Sequence, residues 1–269
     1  MRHLFIGGCG RSGTSFAQKI IISHSKITGG PEFDFLQPLM MTYRRMITPF
    51  HLDRQEFFYD RDALDEYLKT FVSNALLNKH RDNPKISFFS EKTPNNIDVA
   101  QELLTLFPDA FFLNIIRDGR DVLVSHLDVE QRFIKSGTAY NKASFSLESV
   151  CALWNKSVDN YFKLIANETL KDRVIDLVYE DLLQHPEREL TRICKRLGID
   201  LEPEMLTPGK NKVGEGTLQV DNIWHTEAML NANFDTSKIG RWKGQLSFFE
   251  KRKAEKLMQE NLKRLNYLK

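Results

Sequence analysis

The chain has 269 residues, and its 38 lysines and arginines are nearly balanced by 36 aspartates and glutamates, for a formal net charge of +2. This balance excludes the strongly basic surface of a general nucleic-acid binder or of a protein that coats anionic membranes. Hydrophobic residues make up 41% of the chain, which excludes a disordered protein and indicates a globular fold. No apolar run approaches the roughly 20 residues of a membrane-spanning helix.

The cysteine content and the start of the chain predict a cellular compartment. Cys9, Cys151 and Cys194 are far apart and odd in number, which favours free thiols in a reducing environment over a disulfide framework. The first predicted strand begins by Leu4, which leaves no room for a signal peptide before it. We therefore expect a cytoplasmic protein if Met1 is the native start.

Strands and helices alternate along the first part of the chain. An apolar strand over residues 4–7 leads through a glycine-rich turn into a helix over 15–24. A charged and aromatic region over 52–80 is predicted to be helical, and a short strand over 85–90 follows it. A helix over 97–107 ends before a proline.

The alternation continues to the C-terminus and predicts the fold class. Residues 110–116 form a strand that is apolar on both faces, as buried parallel strands are, and a helix follows to about Leu127. The polar residues 131–145 are predicted to form a loop. The remaining predicted elements are a helix over 147–167, a strand over 174–178, a helix over 186–197, an irregular segment over 202–235 and a helix over 247–268. We expect one α/β domain over residues 1–269, a three-layer sandwich with a central parallel sheet and a P-loop-type strand–loop–helix.

The first strand is followed by the motif Gly8-Cys9-Gly10-Arg11-Ser12-Gly13-Thr14-Ser15. Its spacing is that of a phosphate-binding P-loop, G-x-x-x-x-G-K-[ST], with Thr14 in place of the lysine. The backbone N–H groups of such a turn and of the following helix bind anions, whereas the missing lysine contacts the β- and γ-phosphates of a nucleoside triphosphate. The motif therefore predicts binding of a nucleotide 5′-phosphate without the usual ATP or GTP hydrolysis. The alternative is a glycine-rich turn without a ligand.

Arg117 and Ser125 form a second candidate phosphate site. Arg117 lies at the carboxyl end of a predicted central strand, where open α/β sheets bind ligands. Ser125 follows about two helical turns later, and an arginine with a hydroxyl suits a phosphate. The alternative is a network of ion pairs among Arg117, Asp118, Arg120 and Asp121, which these residues alone favour.

Two further residues are candidates for proton transfer and charge stabilisation. Lys92, in Glu-Lys-Thr-Pro after a predicted strand, is able to act as a point charge on a leaving-group oxygen. Its alternative is an ordinary solvent-facing lysine. Glu32, in the turn Gly-Gly-Pro-Glu-Phe, presents a carboxylate beside apolar residues, and its alternative is an ordinary turn glutamate.

Together these motifs resemble the sulfotransferases that use 3′-phosphoadenylyl sulfate (PAPS), and the branch of tyrosylprotein and heparan sulfate enzymes more than the cytosolic phenol enzymes. The resemblance covers nearly the whole chain. It implies that Arg117 and Ser125 bind the 3′-phosphate of PAPS. It implies that the 5′-phosphosulfate is bound by the loop residues Gly10, Arg11, Ser12, Gly13, Thr14 and Ser15.

The resemblance also assigns residues in the later part of the chain. Tyr179, which begins the sequence Tyr-Glu-Asp-Leu, matches a tyrosine that contacts the nucleotide in this family. An Ile-Gly-Arg-Trp stretch is similar to one near the cofactor-covering segment of bacterial members. On that basis Ser237, Lys238 and Arg241 are predicted to contact the cofactor, although the match between residues 214 and 237 is poor.

Catalytic roles and reactants follow from the same resemblance. In that branch a glutamate takes the acceptor proton and a lysine stabilises the leaving oxygen, and these positions match Glu32 and Lys92. The phenol enzymes use a histidine in another segment, so we expect His80 and His126 to be non-catalytic. PAPS is the expected donor and PAP the product. We expect no metal, because the sulfuryl group carries only one net negative charge.

Two alternative functions stay open at this point. A P-loop kinase-like phosphotransferase is disfavoured by Thr14 and by the lack of a strand that ends in a lone metal-binding aspartate. A non-catalytic nucleotide-binding protein is disfavoured because binding alone requires neither Glu32 nor Lys92. We expect the acceptor to be a hydroxyl of a small molecule, saccharide, lipid or peptide, with residues 33–80 and 128–145 forming the pocket wall.

Overall fold

Five strands form one parallel sheet in the computed structural model, which describes residues 1–77, 83–208, 223, 224, 226 and 232–268. The strands are β1 (Arg2–Gly8), β2 (Ile27–Gly29), β3 (Phe88–Lys92), β4 (Phe111–Ile116) and β5 (Val174–Val178). Their order is β2-β3-β1-β4-β5, and every neighbouring pair is parallel. Parallel neighbours need crossover connections, which place helices on the faces of the sheet.

Helices supply these connections and the C-terminal end. The α-helices are α1 (Thr14–Ile21), α2 (Leu36–Met46), α3 (Pro49–Gln55), α4 (Arg61–Leu77), α5 (Ala100–Leu106), α6 (Gly119–Ser136), α7 (Leu147–Ile165), α8 (Tyr179–Gln184), α9 (Pro186–Leu197), α10 (Trp242–Gln245) and α11 (Phe248–Arg264). Short 3₁₀ turns lie at Pro94–Asp98, Lys142–Phe145, Lys171–Arg173, Pro203–Leu206 and Thr236–Lys238. Within the described ranges, no helix has both the length and the apolarity needed to cross a membrane.

Alternation along β1 builds a core on each face of the sheet. Leu4 and Ile6 point to one face and pack with residues of α1 and α9. Phe5 points to the other face and packs with Met40 of α2 and Leu103 of α5. A further apolar cluster joins α6, α7 and α11. This helix–sheet–helix arrangement confirms the predicted α/β fold with a central parallel sheet.

The helix α6 is longer than its sequence suggested. Residues 131–145 were predicted to form a loop, but α6 continues to Ser136 and stops at Gly137. Gly137 has a φ of 68°, the left-handed conformation in which glycine commonly ends a helix. Phe133 on the last turns of α6 is buried against Phe145, and this packing outweighs the polar residues around it. The predicted loop is therefore wrong over residues 131–136.

Other boundaries differ by a few residues. The short strand β3 lies three residues beyond the start of its predicted range, so Lys92 is its last residue. The sequence did not predict the strand β2, because a three-residue strand has no periodic pattern to detect. The 11-residue helix α2 was also missed. The predicted helix over 97–107 starts at Ala100, after a 3₁₀ turn. His80 and much of the predicted irregular segment lie outside the described residues.

The carboxyl ends of four strands meet at one edge of the sheet. β1 ends at Gly8, β3 at Lys92, β4 at Ile116 and β5 at Val178. The register pairs Ile6 with Lys92 and Ile116 with Val178, so these ends lie side by side. The chain places β2 and β3 on one side of β1 and then crosses to β4 and β5 on the other side, and ligands of open α/β sheets bind where the strand order changes side in this way. The fold therefore places a ligand site beyond these four strand ends.

A substitution at Gly8 tests how closely the backbones of β1 and β4 pack. A methyl group at Gly8 would lie 2.4 Å from the carbonyl oxygen of Ile115, and Gly8 has a φ of +137°. We expect Gly8→Ala to lower the free energy of unfolding by roughly 2 kcal/mol or more, because neither central strand is free to shift. Gly137→Ala is the matched control, since Gly137 has a φ of +68° and no atom lies within 4 Å of the added methyl group. That change should cost about 1 kcal/mol. Urea unfolding measures both variants, and equal losses would contradict the strand fit.

Candidate functional site

The loop between β1 and α1 is folded tightly. The N–H and the hydroxyl of Ser12 both donate to the carbonyl oxygen of Cys9, at 3.1 and 2.6 Å. Arg11 and Gly13 have positive φ angles of 69° and 101°. The helix α1 then begins at Thr14, and the glycine before it has no side chain to cap the first N–H groups. N–H groups at such a helix start commonly bind anions, so the loop has the geometry on which the predicted phosphate binding depends.

Tyr179 connects this loop to Arg117. The ring of Tyr179 packs so closely on Gly13 that a methyl group there would lie 2.5 Å from it. The guanidinium of Arg117 lies 4.5 Å from the centre of the same ring. Arg117 also donates to the carbonyl oxygens of Arg11 and Lys238, at 3.1 and 2.9 Å. Three predicted nucleotide-binding segments therefore meet around one tyrosine ring.

Ser125 joins the same site from α6. Nε of Arg11 lies 3.3 Å from the Ser125 hydroxyl, so the two predicted phosphate motifs are in direct contact. The alternative ion-pair network holds only for Asp118 and Arg120, which pair at 2.8 Å. Asp121 instead accepts hydrogen bonds from the backbone of α10 and the residues before it. Asp118 and Asp121 therefore do not pair with Arg117, whose side chain lines the cleft at the end of β4.

Lys92 is buried and paired. Its side chain is 0% exposed, which contradicts the alternative of a solvent-facing lysine. Nζ of Lys92 forms an ion pair with Glu32 and donates to the Ser15 hydroxyl at 3.0 Å. The Glu32 side chain is 31% exposed and lines the cleft beside the loop. The lysine therefore links the predicted base to the predicted anion-binding loop.

Glu91 supports the segments that carry Lys92 and Glu32, a role that its sequence position did not predict. Its carboxylate accepts from the backbone N–H of Phe33 at 3.0 Å, from the Thr93 hydroxyl at 2.7 Å and from the amide of Asn96. Asn96 donates in turn to the carbonyl oxygen of Ile6 in β1. Glu91 thus ties the residue after Glu32 to the end of β3. Burial raises the pKa of the Glu91 carboxyl to about 7, although the hydrogen bonds and Lys92 act against this shift.

Of the three residues predicted to cover the cofactor, two line the cleft and one does not. Arg241 pairs with Asp128 of α6 at 2.8 Å and lines the cleft. Lys238 also lines it and supplies the carbonyl oxygen that Arg117 contacts. Ser237 is exposed, donates its N–H to Asp235 and lies off the cleft wall. Residues 227–231 and 209–222 of this segment lie outside the described residues.

All these groups surround a cleft of about 790 Å³ at the carboxyl edge of the sheet. Its wall contains the predicted residues Gly10, Arg11, Gly13, Thr14, Ser15, Glu32, Arg117, Ser125, Tyr179, Lys238 and Arg241. Ser12 is buried inside the turn, and Lys92 lies behind Ser15 and Glu32. The wall also contains Lys19, Asp128 and Arg132, which sequence reasoning missed. The spacing of Asp128 and Arg132 from Ser125 on a helix would have identified these two residues.

His126 lies in the cleft wall next to Ser125. Burial, with a smaller effect from Arg11, lowers the pKa of His126 to about 4, so the imidazole is neutral near pH 7. Its Nδ1 lies 3.0 Å from the carbonyl oxygen of Val122. The expectation that His126 is non-catalytic stays a prediction. Among the described residues, no three His, Cys, Asp or Glu side chains are grouped as metal ligands.

Comparison with known proteins identifies the family of this chain. The family model described as the sulfotransferase family matches residues 3–203, a range with both phosphate motifs, Lys92 and Tyr179. The chain belongs to the sulfotransferase family. Protein-tyrosine sulfotransferase 2 of Gallus gallus is 22% identical over 246 residues, which are 90% of this chain and 63% of the relative. This sulfotransferase-family chain therefore spans less than two thirds of that relative.

Solved structures of other proteins share the fold. The sulfotransferase domain from the curacin biosynthetic pathway is 18% identical, with a TM-score of 0.62 over 96% of this chain and 98% of that domain. Mouse sulfotransferase SULT7A1, complexed with PAP, is 15% identical, with a TM-score of 0.61 over 97% of this chain and 85% of the mouse chain. At these identities the likeness shows the common α/β architecture.

The buried carboxyl of Glu91 predicts a pH dependence of stability. Its pKa rises from an ordinary 4.5 to about 7 in the folded state, so the folded protein binds more protons than the unfolded chain in this range. Stability should therefore fall as the pH rises from 4.5 to 7. In Glu91→Gln this part of the decrease should disappear. Melting temperatures at pH 5 and pH 8 measure it, with Glu187→Gln, an exposed position on α9, as control. Unchanged pH dependence in Glu91→Gln would contradict the assignment.

Proposed function

We propose that the protein transfers the sulfuryl group of PAPS to a hydroxyl acceptor and releases PAP. The observation that carries this proposal is that Arg117 and Ser125 converge on the loop 10–15, with the Lys92–Glu32 pair at the same loop. Two phosphate sites joined by one cleft suit a nucleotide with separate 3′ and 5′ phosphates. Membership in the sulfotransferase family supports the reaction type.

The side chains present suit this donor. The first N–H groups of α1, with the hydroxyls of Thr14 and Ser15, are available to the 5′-phosphosulfate. Nε of Arg117 is buried and has no hydrogen-bond partner among the described residues, which fits an anion at the end of β4. Ser125 adds a hydroxyl beside it. The chain therefore has donors for both phosphates.

We assign Glu32 to the acceptor oxygen and Lys92, its ion-pair partner in the structure, to the bridging oxygen of the donor. In the proposed step the acceptor oxygen forms a bond to sulfur while its proton passes to Glu32. The bond between sulfur and the bridging oxygen breaks, and its electron pair remains on that oxygen of PAP. Lys92, which contacts Ser15 of the loop, stabilises the charge that develops there. The ion pair with Lys92 also orients the Glu32 carboxylate when no acceptor is bound.

The acceptor class is proposed from the cleft and from the relative. Thr93 and Asn95 line the cleft beside Glu32 and offer polar contacts to a hydroxyl-bearing molecule. The chicken relative is named for protein tyrosine, whose phenol is also a hydroxyl. We therefore propose a hydroxyl of a peptide, small molecule, saccharide or lipid as the acceptor.

The compartment and the domain organisation belong to the same proposal. Cys9, Cys151 and Cys194 are buried and carry free thiols, and burial raises the pKa of the Cys9 thiol to about 12. Such thiols support the proposed reducing, cytoplasmic compartment. We also propose that residues 1–269 act as one sulfotransferase domain, in which Ser237, Lys238 and Arg241 contribute to cofactor binding.

Nucleotide binding without metal is the first test. Calorimetric titration of the protein in EDTA should show PAP binding in the micromolar range or tighter, with ADP and ATP much weaker, because only PAP has phosphates at both positions. Addition of Mg²⁺ should leave the PAP affinity unchanged. A preference for ATP with Mg²⁺ would contradict the proposal and favour a phosphotransferase. Tight PAP binding without turnover on any acceptor would favour a non-catalytic nucleotide-binding protein.

Glu32 is tested by removing its charge. Glu32→Gln should lower kcat by about 10²- to 10⁴-fold and leave PAP affinity nearly unchanged, because the amide is not a base. Transfer from labelled PAPS is measured with the first acceptor that the wild-type protein sulfates in a panel of peptides and alcohols. Asp34→Asn is the matched control, since Asp34 lines the same cleft and is the next carboxylate along the chain. Equal turnover of Glu32→Gln and Asp34→Asn would remove the base assignment.

A further inference from the structure

The helix α6 presents a row of side chains to the cleft beyond Ser125. Asp128 lies three residues after Ser125, and Arg132 lies four residues after Asp128, so all three are on one face of the helix. All three line the cleft. Arg132 lies in the stretch whose sequence predicted a loop, so no role was assigned to it. The helical extension brings an additional cation to the wall of the nucleotide site.

Arg132 has guanidinium donors without an acceptor. Its Nε and Nη2 atoms are inaccessible to solvent and have no hydrogen-bond partner among the described residues. The two acidic residues nearest to it along the helix are engaged elsewhere. Asp128 accepts from Arg241 at 2.8 Å, and Glu130 accepts from the Tyr140 hydroxyl at 3.2 Å. A buried guanidinium without an acceptor is strongly unfavourable, so its place in the cleft wall points to an anionic ligand.

The hydrogen bonds of Arg117 leave one of its guanidinium donors for a phosphate monoester. Nη1 and Nη2 of Arg117 donate to the carbonyl oxygens of Arg11 and Lys238, which leaves Nε for a ligand. Arg11 donates to the Ser125 hydroxyl and to the carbonyl oxygen of Trp224. A phosphate monoester carries about 1.5 to 2 negative charges near pH 7 and three acceptor oxygens. One further guanidinium would match this charge.

Helical geometry directs Arg132 toward Ser125. Seven residues of α-helix span about 10 Å, and long side chains on a helix point toward its N-terminus. From this tendency, and from the shared cleft lining, we infer that the Arg132 guanidinium extends over the turn of Asp128 toward Ser125. The charge of Asp128 is compensated by Arg241, so it does not oppose an anion at this place.

We propose that Arg132 binds the 3′-phosphate of the nucleotide, together with Arg117 and Ser125. The proposal rests on the proposed function, since it requires a nucleotide with a 3′-phosphate. An acidic group on the acceptor molecule is the other possible source of the anion. The two sources are distinguished by comparing PAP with 5′-AMP, which has the same nucleoside and 5′-phosphate but no 3′-phosphate.

The test is calorimetric titration of the full chain with PAP and with 5′-AMP in EDTA. Arg132→Ala should weaken PAP binding by about 10- to 100-fold, the loss typical of a charge-assisted hydrogen bond, and leave 5′-AMP binding unchanged. Arg132→Lys should show an intermediate loss, because it keeps the charge without the two-pronged donor geometry. Lys135→Ala is the matched control, since Lys135 is an exposed cation on the same helix and should affect neither nucleotide.

Each other outcome overturns the proposal in a recognisable way. Equal weakening of PAP and 5′-AMP by Arg132→Ala would show that Arg132 supports the structure of the cleft. Unchanged PAP affinity in Arg132→Ala would show that the Arg132 guanidinium does not bind the 3′-phosphate, and would favour an acidic group of the acceptor molecule as its ligand. If the wild-type protein bound PAP no better than 5′-AMP, the proposed function itself would fail, and the role of Arg132 with it. Binding of 5′-AMP by the variant also serves as the check that it has folded.

Discussion

The contact between the Tyr179 ring and the backbone of Gly13 is the constraint on which the site depends. The ring comes from the end of β5, the glycine from the turn after β1, and Arg117 packs on the same ring from the end of β4. A side chain at position 13 would displace the ring and separate these three strand ends. Because Gly13 has no Cβ, the Tyr179 ring can approach the loop closely, and this approach sets the distance between the two phosphate motifs. Local loop geometry alone does not determine that distance.

A second constraint lies on the other side of β1. Burying Lys92 completely is costly unless its charge is compensated, and Glu32 and Ser15 provide that compensation. Glu91 adds a fully buried carboxyl beside this pair. Replacing such charges with apolar side chains would stabilise many proteins. Their concentration at one strand end, beside an anion-binding loop, is typical of a site where charge is needed for chemistry.

Local patterns predicted four of the five described strands and the motifs, but not the contacts between them. The apolar run of β4 and the glycine spacing of the loop are short-range features, and both are found where the sequence indicates. The role of Glu91 depends on Phe33, 58 residues away, which approaches only because β2 pairs with β3. The end of α6 was missed because Phe133 is buried by residues of the following turn. Tertiary packing therefore decided what local composition left ambiguous.

The substitution of Thr14 for the P-loop lysine has a structural counterpart in Lys92. In a nucleoside triphosphatase the lysine extends from the loop itself along the β- and γ-phosphates. Here the cation comes from the neighbouring strand β3 and contacts Ser15, the residue after Thr14. It is held between the loop and a carboxylate that faces the cleft. In the proposed reaction such a lysine acts at one oxygen and not along a phosphate chain, which suits the release of a single bridging oxygen. On that proposal, the position of one positive charge separates sulfuryl transfer from triphosphate hydrolysis on the same fold.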